Sequence, residues 1–485
     1  MDLLTKPLIQ KVILFRDQVI LAIAILEQND AKKMLSMKRS LIIAFVFISL
    51  AVGSSTSIGD PARKAIKIVR SVHIEQPDIR EEAMVVWTGY VSPDKNSLME
   101  AVSFGGQRGY YFTVRGLSTR DHHPRKPLLR RSVDNGRTWE DYGTWTTETS
   151  IHGRWKLNCD GPNLIYNPNT GTILRLHRTT ETIDGLLPWS KGAPVSRTGL
   201  LWIQFSRDGG STWSEPEQLV CLGPEFDPTH WAPSVWYGQN SGGIEGAEPV
   251  WLKDGRFLLP FFGVQEAPPY RYRSACLIGT WRSDDKGVDW ALSSYATVKP
   301  EFSSDGGDEP SIALLPDGRW FMTMRVRTHI GAKLAIPSGK FYTTSTDQGK
   351  TWSDPEPLRF TDGRQVLCPA SLAHVFRSTK NGRLYIITNI LAKPTVACDP
   401  RTTLQIAEID MESLRVIPET VTVIETRDAA AGQVETIRFS NWRRYEDRET
   451  RNIVLLMTGC PGDVGRHETC GVPPHCYRYD IILPE

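Results

Sequence analysis

One eight-residue pattern recurs along this chain and restricts its fold more than any other feature. The pattern Ser-x-Asp-x-Gly-x-Thr-Trp occupies residues 132–139, 206–213 and 345–352, and a diverged copy occupies residues 283–290. In such a pattern the Asp and Ser side chains hydrogen-bond to nearby backbone N–H groups, and the Gly takes a positive φ without steric cost. The Trp packs against neighbouring strands. Each copy therefore predicts a hairpin turn, and the repetition predicts a propeller or another repeat array.

A second recurring feature, an apolar hairpin, predicts the number of repeats. Turn residues between apolar runs indicate four hairpins that begin at Pro162, Pro249, Pro310 and Pro369. Two more hairpins lie near residues 93–103 and 446–457. We therefore predict an all-β fold, a six-bladed β-propeller in one domain. We expect the last strand, residues 476–483, to close the ring by pairing near residues 83–87.

The charge balance excludes some classes of partner. The chain has 57 basic and 55 acidic residues, a formal net charge of +2. Such a balance gives no reason to expect nucleic acid or an anionic membrane surface as partner. Nothing in the spacing of the Cys and His residues demands a metal, and we predict no cofactor.

The amino-terminal region has the pattern of a targeting segment. Lys38 and Arg39 precede an apolar run at residues 41–52, and small residues follow it. This order is typical of a secretory signal peptide. We expect residues 1–55 to be an extension plus signal peptide (about residues 37–55), with the true start near Met34 or Met37; a membrane anchor is the alternative. Residues 56–485 would then form a secreted or periplasmic propeller without an integral membrane domain.

Eight cysteines follow in what we expect to be an oxidising compartment. Cys460, Cys470 and Cys476 cluster near the carboxyl end, which predicts at least one disulfide among them. The other five cysteines fit either disulfides or buried free thiols.

The repeated turn resembles the Asp-box, or BNR repeat, of the sialidase (neuraminidase) superfamily. The resemblance covers nearly all of residues 56–485 at the level of repeats and implies the sialidase type of propeller. In sialidases three arginines bind the carboxylate of sialic acid, an Asp is the general acid/base, and a Tyr paired with a Glu is the nucleophile. The boxes themselves imply architecture rather than activity, since non-enzymatic members carry them too.

The resemblance assigns candidate catalytic roles to Asp121 and Glu309. Asp121 lies eleven residues before Ser132, as the acid/base Asp does in the family. Glu309 resembles the family's Glu at the start of an inner strand, with Arg325 sixteen residues later across a hairpin. The alternative for Asp121 is a solvated residue in a loop, and the alternative for Glu309 and Arg325 is a structural ion pair. Glu248 begins a similar segment, but Val264 stands at the position of the Arg.

The remaining family positions match less well. Arg401 resembles a later arginine of the triad, and Arg80 is a weak substitute for the first. Phe439 occupies the position of the nucleophilic Tyr and has no phenol oxygen. Tyr445, Tyr477 and Tyr479 are nearby, and we interpret each as structural.

Together these matches favour an exo-glycosidase acting on a terminal acidic sugar of a glycan, either sialic or uronic acid. Arg325 and Arg401, with Arg80, would bind the sugar carboxylate, and Asp121 would protonate the leaving oxygen. Without a Tyr, Glu309 could activate water directly, which would invert the anomeric centre. The alternatives are a non-catalytic glycan-binding propeller, which Phe439 favours, and a polysaccharide lyase on the same scaffold.

Overall fold

The computed structural model describes the chain between residues 65 and 485, apart from ten gaps. The described ranges are 65–79, 81–106, 128–144, 156–182, 197–244, 248–265, 271–284, 286–327, 338–395, 398–460 and 467–485. No helix in these ranges is long and apolar enough to cross a membrane.

The described strands form six antiparallel sheets, which are the blades of the propeller. The first strand, β1 (Lys67–Ile74), joins the last blade. Blade 1 contains β2 (Glu81–Tyr90), β3 (Leu98–Gly106), β4 (Leu128–Ser132) and β5 (Glu140–Thr144). Blade 2 contains β6 (Lys156–Tyr166), β7 (Ile173–Thr182), β8 (Arg197–Ser206) and β9 (Glu217–Gln218). Blade 3 has an interrupted innermost strand, β10 (Gly242–Ile244) and β11 (Val250–Trp251), followed by β12 (Phe257–Val264), β13 (Tyr272–Trp281) and β14 (Val288–Leu292).

The second half of the ring follows the same order. Blade 4 contains β15 (Gly307–Leu314), β16 (Trp320–Val326), β17 (Gly339–Ser345) and β18 (Glu356–Pro357). Blade 5 contains β19 (His374–Arg377), β20 (Leu384–Thr388), β21 (Thr403–Asp410) and β22 (Arg415–Val416), with β23 (Thr422–Thr426) on β21. Blade 6 contains β24 (Arg443–Glu446), β25 (Ile453–Thr458), β26 (Cys476–Ile482) and β1. The described helices are a 3₁₀ turn (Pro418–Thr420) and α1 (His467–Cys470). The predicted six-bladed, all-β propeller is thus confirmed.

Ring closure is provided by β1 rather than by the segment expected from the sequence. Lys67 in β1 pairs with Ile482 in β26, and the antiparallel register continues along the strand. The prediction that residues 83–87 pair with β26 is wrong, because they lie in β2 and pair with β3. The apolar residues Ile66 and Ile68 pack on the cluster between blades 5 and 6. This packing stabilises β1 at the edge of β26.

The hydrophobic core is divided among the interfaces between blades. Six clusters of buried residues occur in the described chain, and each contains residues from two neighbouring blades. Trp87 and Ile173 meet between blades 1 and 2, and Val454 and Val85 meet between blades 6 and 1. Burial of apolar surface therefore holds each blade to both of its neighbours.

The repeated turns have the predicted geometry and connect the third and fourth strands of their blades. Ser206 Oγ donates to Asp208 Oδ1 (2.8 Å), and Gly210 N donates to Ser206 Oγ (2.8 Å). Thr212 donates to Asp208 through its backbone N (2.9 Å) and its hydroxyl (2.5 Å). The same bonds recur in the copies at residues 132–139 and 345–352.

The box tryptophans pack at the interface with the preceding blade. Trp139 lies on the cluster between blades 6 and 1, and Trp213 lies on the one between blades 1 and 2. Trp290 and Trp352 occupy the equivalent positions in the next two interfaces. Each box therefore joins a turn within its own blade to the packing of the blade before it.

The expected disulfide among Cys460, Cys470 and Cys476 is wrong, because all three are free thiols. Cys470 is buried between blades 5 and 6, whereas Cys476 is buried between blades 6 and 1, so the two side chains lie on opposite faces of one sheet. The alternative of buried free thiols holds for Cys221, Cys276 and Cys368.

Removing one box carboxylate should lower the stability of the propeller. In Asp347→Ala, the donors of Ser345 and Thr351 lose their acceptor, and we expect the melting temperature to fall by several degrees. Asp354→Ala is the control, because Asp354 makes an exposed ion pair with Lys299, and such pairs contribute little. Equal melting temperatures for the two variants, measured by calorimetry, would contradict this account.

Candidate functional site

The innermost strands of the blades all run in the same direction along the channel. The two ends of the channel are therefore distinct. We call the end at which these strands begin the first mouth, and the end at which they terminate the second mouth. Glu309 lies near the start of β15, and Arg325 lies near the end of β16. The two strands form an antiparallel hairpin in which Asp308 pairs with Arg325. The hairpin therefore brings Glu309 and Arg325 together at the first mouth, as their spacing predicted.

A β-bulge directs two consecutive carboxylates to the same guanidinium group. The register shifts between Asp308 and Ser311, and Glu309 has a left-handed φ of 43°. Arg325 Nε donates to Asp308 Oδ1 (2.7 Å), its Nη2 donates to Asp308 Oδ2, and its Nη1 contacts Glu309 Oε1. In a regular strand, neighbouring side chains would point to opposite faces. Asp308 was missed from the sequence because the bulge is what turns it towards Arg325.

Arg401 is held against the same cluster by three oxygen acceptors. Its Nε donates to the carbonyl of Cys398 (2.7 Å), its Nη2 to the carbonyl of Ala370 (2.9 Å), and its Nη1 to the hydroxyl of Ser440 (3.0 Å). None of these acceptors is a carboxylate. Burial lowers the pKa of Arg401, and the nearby carboxylate of Glu309 acts in the opposite direction.

Lys340 is a second cation in the cluster, and the sequence analysis did not select it. It pairs across the sheet with Arg325 and is completely buried. Its Nζ donates to the carbonyl of Ser371 and lies 3.5 Å from that of Pro369. Burial lowers the pKa of Lys340 to about 8. Lys340 could have been predicted from the strand register, because it lies directly opposite Arg325 on the neighbouring strand.

The cluster has an excess of positive charge around a partly buried carboxyl group. Burial raises the pKa of Glu309, and the Asp308 carboxylate acts in the same direction. Arg325, Arg401 and Lys340 oppose that rise. Three cations face two carboxylates, so the group as a whole carries about one surplus positive charge near neutral pH. Such a site favours an anionic ligand.

The ring of Phe439 does not reach this cluster. Its backbone N donates to the carbonyl of Arg401 (2.8 Å), but its side chain is buried in the hydrophobic cluster between blades 5 and 6. The nearby tyrosines are placed as structural residues, as expected. Tyr445 is buried between blades 6 and 1, and Tyr479 donates to Glu425 (2.7 Å). Tyr477 lies under the guanidinium of Arg70.

The other candidates have different positions. Asp121 and Arg80 lie outside the described residues. Glu248 accepts a hydrogen bond from Arg444 (3.0 Å) in blade 6, and it lines a cavity that does not include Glu309. Within the described ranges, no group of His, Cys, Asp and Glu side chains is arranged to hold a metal ion.

Comparison with known proteins agrees with this architecture. Residues 130–429 match the family described as a BNR repeat-like domain. The chain belongs to this family, within the sialidase-like BNR β-propeller superfamily. A "Sialidase" from Bacteroides fragilis (strain YCH46) is 25% identical over 252 residues, which are 51% of this chain and 40% of that protein. The chain thus matches less than half the length of that curated relative.

Two solved structures share the fold of this BNR propeller. A protein of unknown function from Dyadobacter fermentans DSM 18053 has a TM-score of 0.55 and 17% identity, with 88% of this chain and all of that chain (100%) covered. The Hadza microbial sialidase Hz136 has a TM-score of 0.51 and 14% identity, with 85% and 68% covered. At these identities the likeness shows the fold alone.

The burial of Lys340 should give stability a measurable pH dependence. The folded pKa (about 8) is below the ordinary pKa of a lysine, 10.5, so the unfolded chain holds more protons between these pH values. The contribution of Lys340 to unfolding free energy should therefore rise by about 3 kcal/mol from pH 8 to 10.5. Lys340→Met should lack this rise. Denaturant titrations of both proteins at several pH values measure the difference, and a constant difference would contradict the assignment.

Restoring a tyrosine at position 439 should not create a nucleophile. Because the ring of Phe439 is packed in the core, the hydroxyl in Phe439→Tyr would be buried without a partner and cost about 1–3 kcal/mol. We expect reduced stability and no gain of glycosidase activity. Phe439→Leu, which adds no hydroxyl, is the control for lost packing. A gain of activity in Phe439→Tyr would show that this ring reaches the reacting centre.

Proposed function

We propose that this propeller is a glycoside hydrolase that removes a terminal acidic sugar, sialic or uronic acid, from a glycan. The single observation that carries the proposal is the position of Glu309, a partly buried carboxyl group in a cluster with surplus positive charge. Membership of the BNR propeller family agrees with a glycan as substrate, and the name of the Bacteroides fragilis relative points the same way.

The contacts of the three cations in the cluster suggest a different role for each. Arg325 is already engaged by Asp308 and Glu309, so we assign it the task of orienting Glu309. Arg401 has no carboxylate among its hydrogen-bond acceptors, and we assign it the carboxylate of the sugar. Lys340 adds positive charge to the cluster, although its side chain is not exposed to solvent.

The chemistry follows from the raised pKa of Glu309. A carboxylate with a raised pKa is a stronger base near neutral pH, which suits removal of a proton from an attacking water. Asp121 would protonate the oxygen of the leaving group. This division of roles inverts the anomeric centre and requires the two carboxyl groups to lie about 6.5–9.5 Å apart. Strand β3 ends opposite Glu81, at the start of β2 and therefore at the first mouth.

The proposal includes export of the protein. Residues 37–55 would act as the signal peptide, and residues 56–485 would form the mature propeller, secreted or periplasmic. A glycan-cleaving enzyme would meet its substrate there.

A non-catalytic glycan-binding propeller is the second candidate. Two observations favour it, namely the core position of the Phe439 ring and the engagement of Arg325 by two carboxylates. Such a protein would bind an acidic glycan at the first mouth and release no product.

The decisive experiment compares Glu309→Gln with wild type on aryl glycosides of sialic and uronic acids. Loss of the carboxylate should lower kcat by about 100-fold or more, because a general base contributes an effect of that order. Glu356→Gln is the matched control, since Glu356 lies in the same blade on the exposed strand β18. Thermal unfolding of both variants shows that they are folded.

The possible results separate the two candidates. Binding of acidic glycans without release by the wild-type protein would favour the binding propeller. Turnover that persists in Glu309→Gln would show that the site assignment is wrong. NMR detection of the first-formed anomer distinguishes inversion from retention.

A further inference from the structure

A separate cavity lies at the second mouth, away from Glu309. It has a volume of about 510 Å³, and its lining includes Tyr90, Tyr166 and Trp251, the last residues of β2, β6 and β11. Glu248 also lines it, whereas Glu309, Arg325 and Arg401 do not. The cavity is therefore distinct from the proposed catalytic cluster.

Four aromatic side chains contribute to the wall of this cavity, namely Trp87, Tyr90, Tyr166 and Trp251. Trp251 is 38% exposed, although large apolar side chains in this fold are mostly buried. Trp87 is nearly buried and contributes one surface of the wall. Tyr166 is partly exposed, and its side chain stands beside Leu164 in the lining. Flat aromatic surfaces of this kind offer stacking area for the C–H faces of a ring-shaped ligand.

The charged side chains that line this cavity are equal in number, three basic (Lys95, Arg448, Arg451) and three acidic (Glu248, Glu446, Asp447). Glu248 accepts from Arg444 (3.0 Å), and Glu446 accepts from the backbone N of Thr379 (3.1 Å). Arg451 donates to the hydroxyl of Thr379 (2.7 Å). The basic and acidic side chains of the lining thus balance in number, in contrast to the surplus positive charge at the first mouth. A balanced set of donors and acceptors suits a neutral ligand with many hydroxyl groups.

A second compartment extends the cavity towards blades 4 and 5. It has a volume of about 550 Å³. The two compartments share their central lining, which consists of Glu248, Pro249, Trp251, Thr379 and Glu446. Each compartment falls within the size range of small-ligand sites, so together they have room for more than one sugar ring.

We propose that the second mouth is a carbohydrate-binding site for a neutral mono- or disaccharide unit. Trp251 would stack on the sugar ring, and Glu248 with the hydroxyl of Tyr166 would bind sugar hydroxyls. The site performs no chemistry, and it does not depend on the proposed hydrolysis at Glu309. We expect a neutral ligand here, unlike the acidic sugar of the first mouth, because basic and acidic side chains line this cavity in equal numbers.

Titration calorimetry with neutral saccharides tests the proposal on the full chain carrying Glu309→Gln, which suppresses turnover. The probes are glucose, galactose, N-acetylglucosamine, lactose and cellobiose, with glucuronic and N-acetylneuraminic acids for comparison. We expect at least one neutral saccharide to bind. Adding Trp251→Ala should weaken its binding at least tenfold, and adding Tyr166→Phe should weaken it severalfold while the melting temperature stays unchanged.

Leu222→Ala is the matched control, because Leu222 is exposed (60%) and does not line the cavity. Absence of binding by all neutral probes would overturn the proposal. So would neutral binding that survives Trp251→Ala, or a dependence on Trp251 that appears only with the acidic sugars. Because hydrolysis is measured separately on acidic substrates, failure here leaves the proposed function of Glu309 unaffected.

Discussion

The pairing of β1 with β26 closes the ring, and the arrangement of every other blade depends on that closure. Each blade packs on both neighbours through an apolar cluster. An open ring would lack one of these interfaces, and the apolar surfaces of the two blades on either side of the opening would be exposed to water. The closing strand also connects to blade 1 through His73, which lies 2.8 Å from the buried carboxylate of Glu100. A closed ring leaves only short strand edges and fixes the innermost strands around the channel.

The fixed channel allows its two mouths to acquire different chemistry. At the first mouth, a bulge and three cations surround Glu309 with more positive than negative charge. At the second mouth, basic and acidic side chains are equal in number and four aromatic rings contribute to the wall. The difference follows from which strand ends meet at each mouth, since every innermost strand contributes its start to one and its end to the other.

Local patterns in the sequence predicted much of the fold. The Asp-box turns and the six hairpins depend on residues close together in the chain, so pattern reasoning found them. The spacing of Glu309 and Arg325 also follows from one hairpin. The partner of β26, the burial of Lys340 and the separation of Cys470 from Cys476 depend on non-local packing. Asp308 was missed because a bulge cannot be recognised from alternation, and no pattern shows that the ring of Phe439 turns into the core.

The left-handed backbone of Glu309 shows how the site is maintained against the intrinsic preference of its own residue. A non-glycine residue in this conformation costs about 1–2 kcal/mol, and Glu309 has a φ of 43° directly before Pro310. Glycine would adopt this geometry without the penalty, yet it would leave Arg325 with one carboxylate fewer. The protein thus gives up conformational stability at this position in exchange for a carboxyl group held in a defined direction.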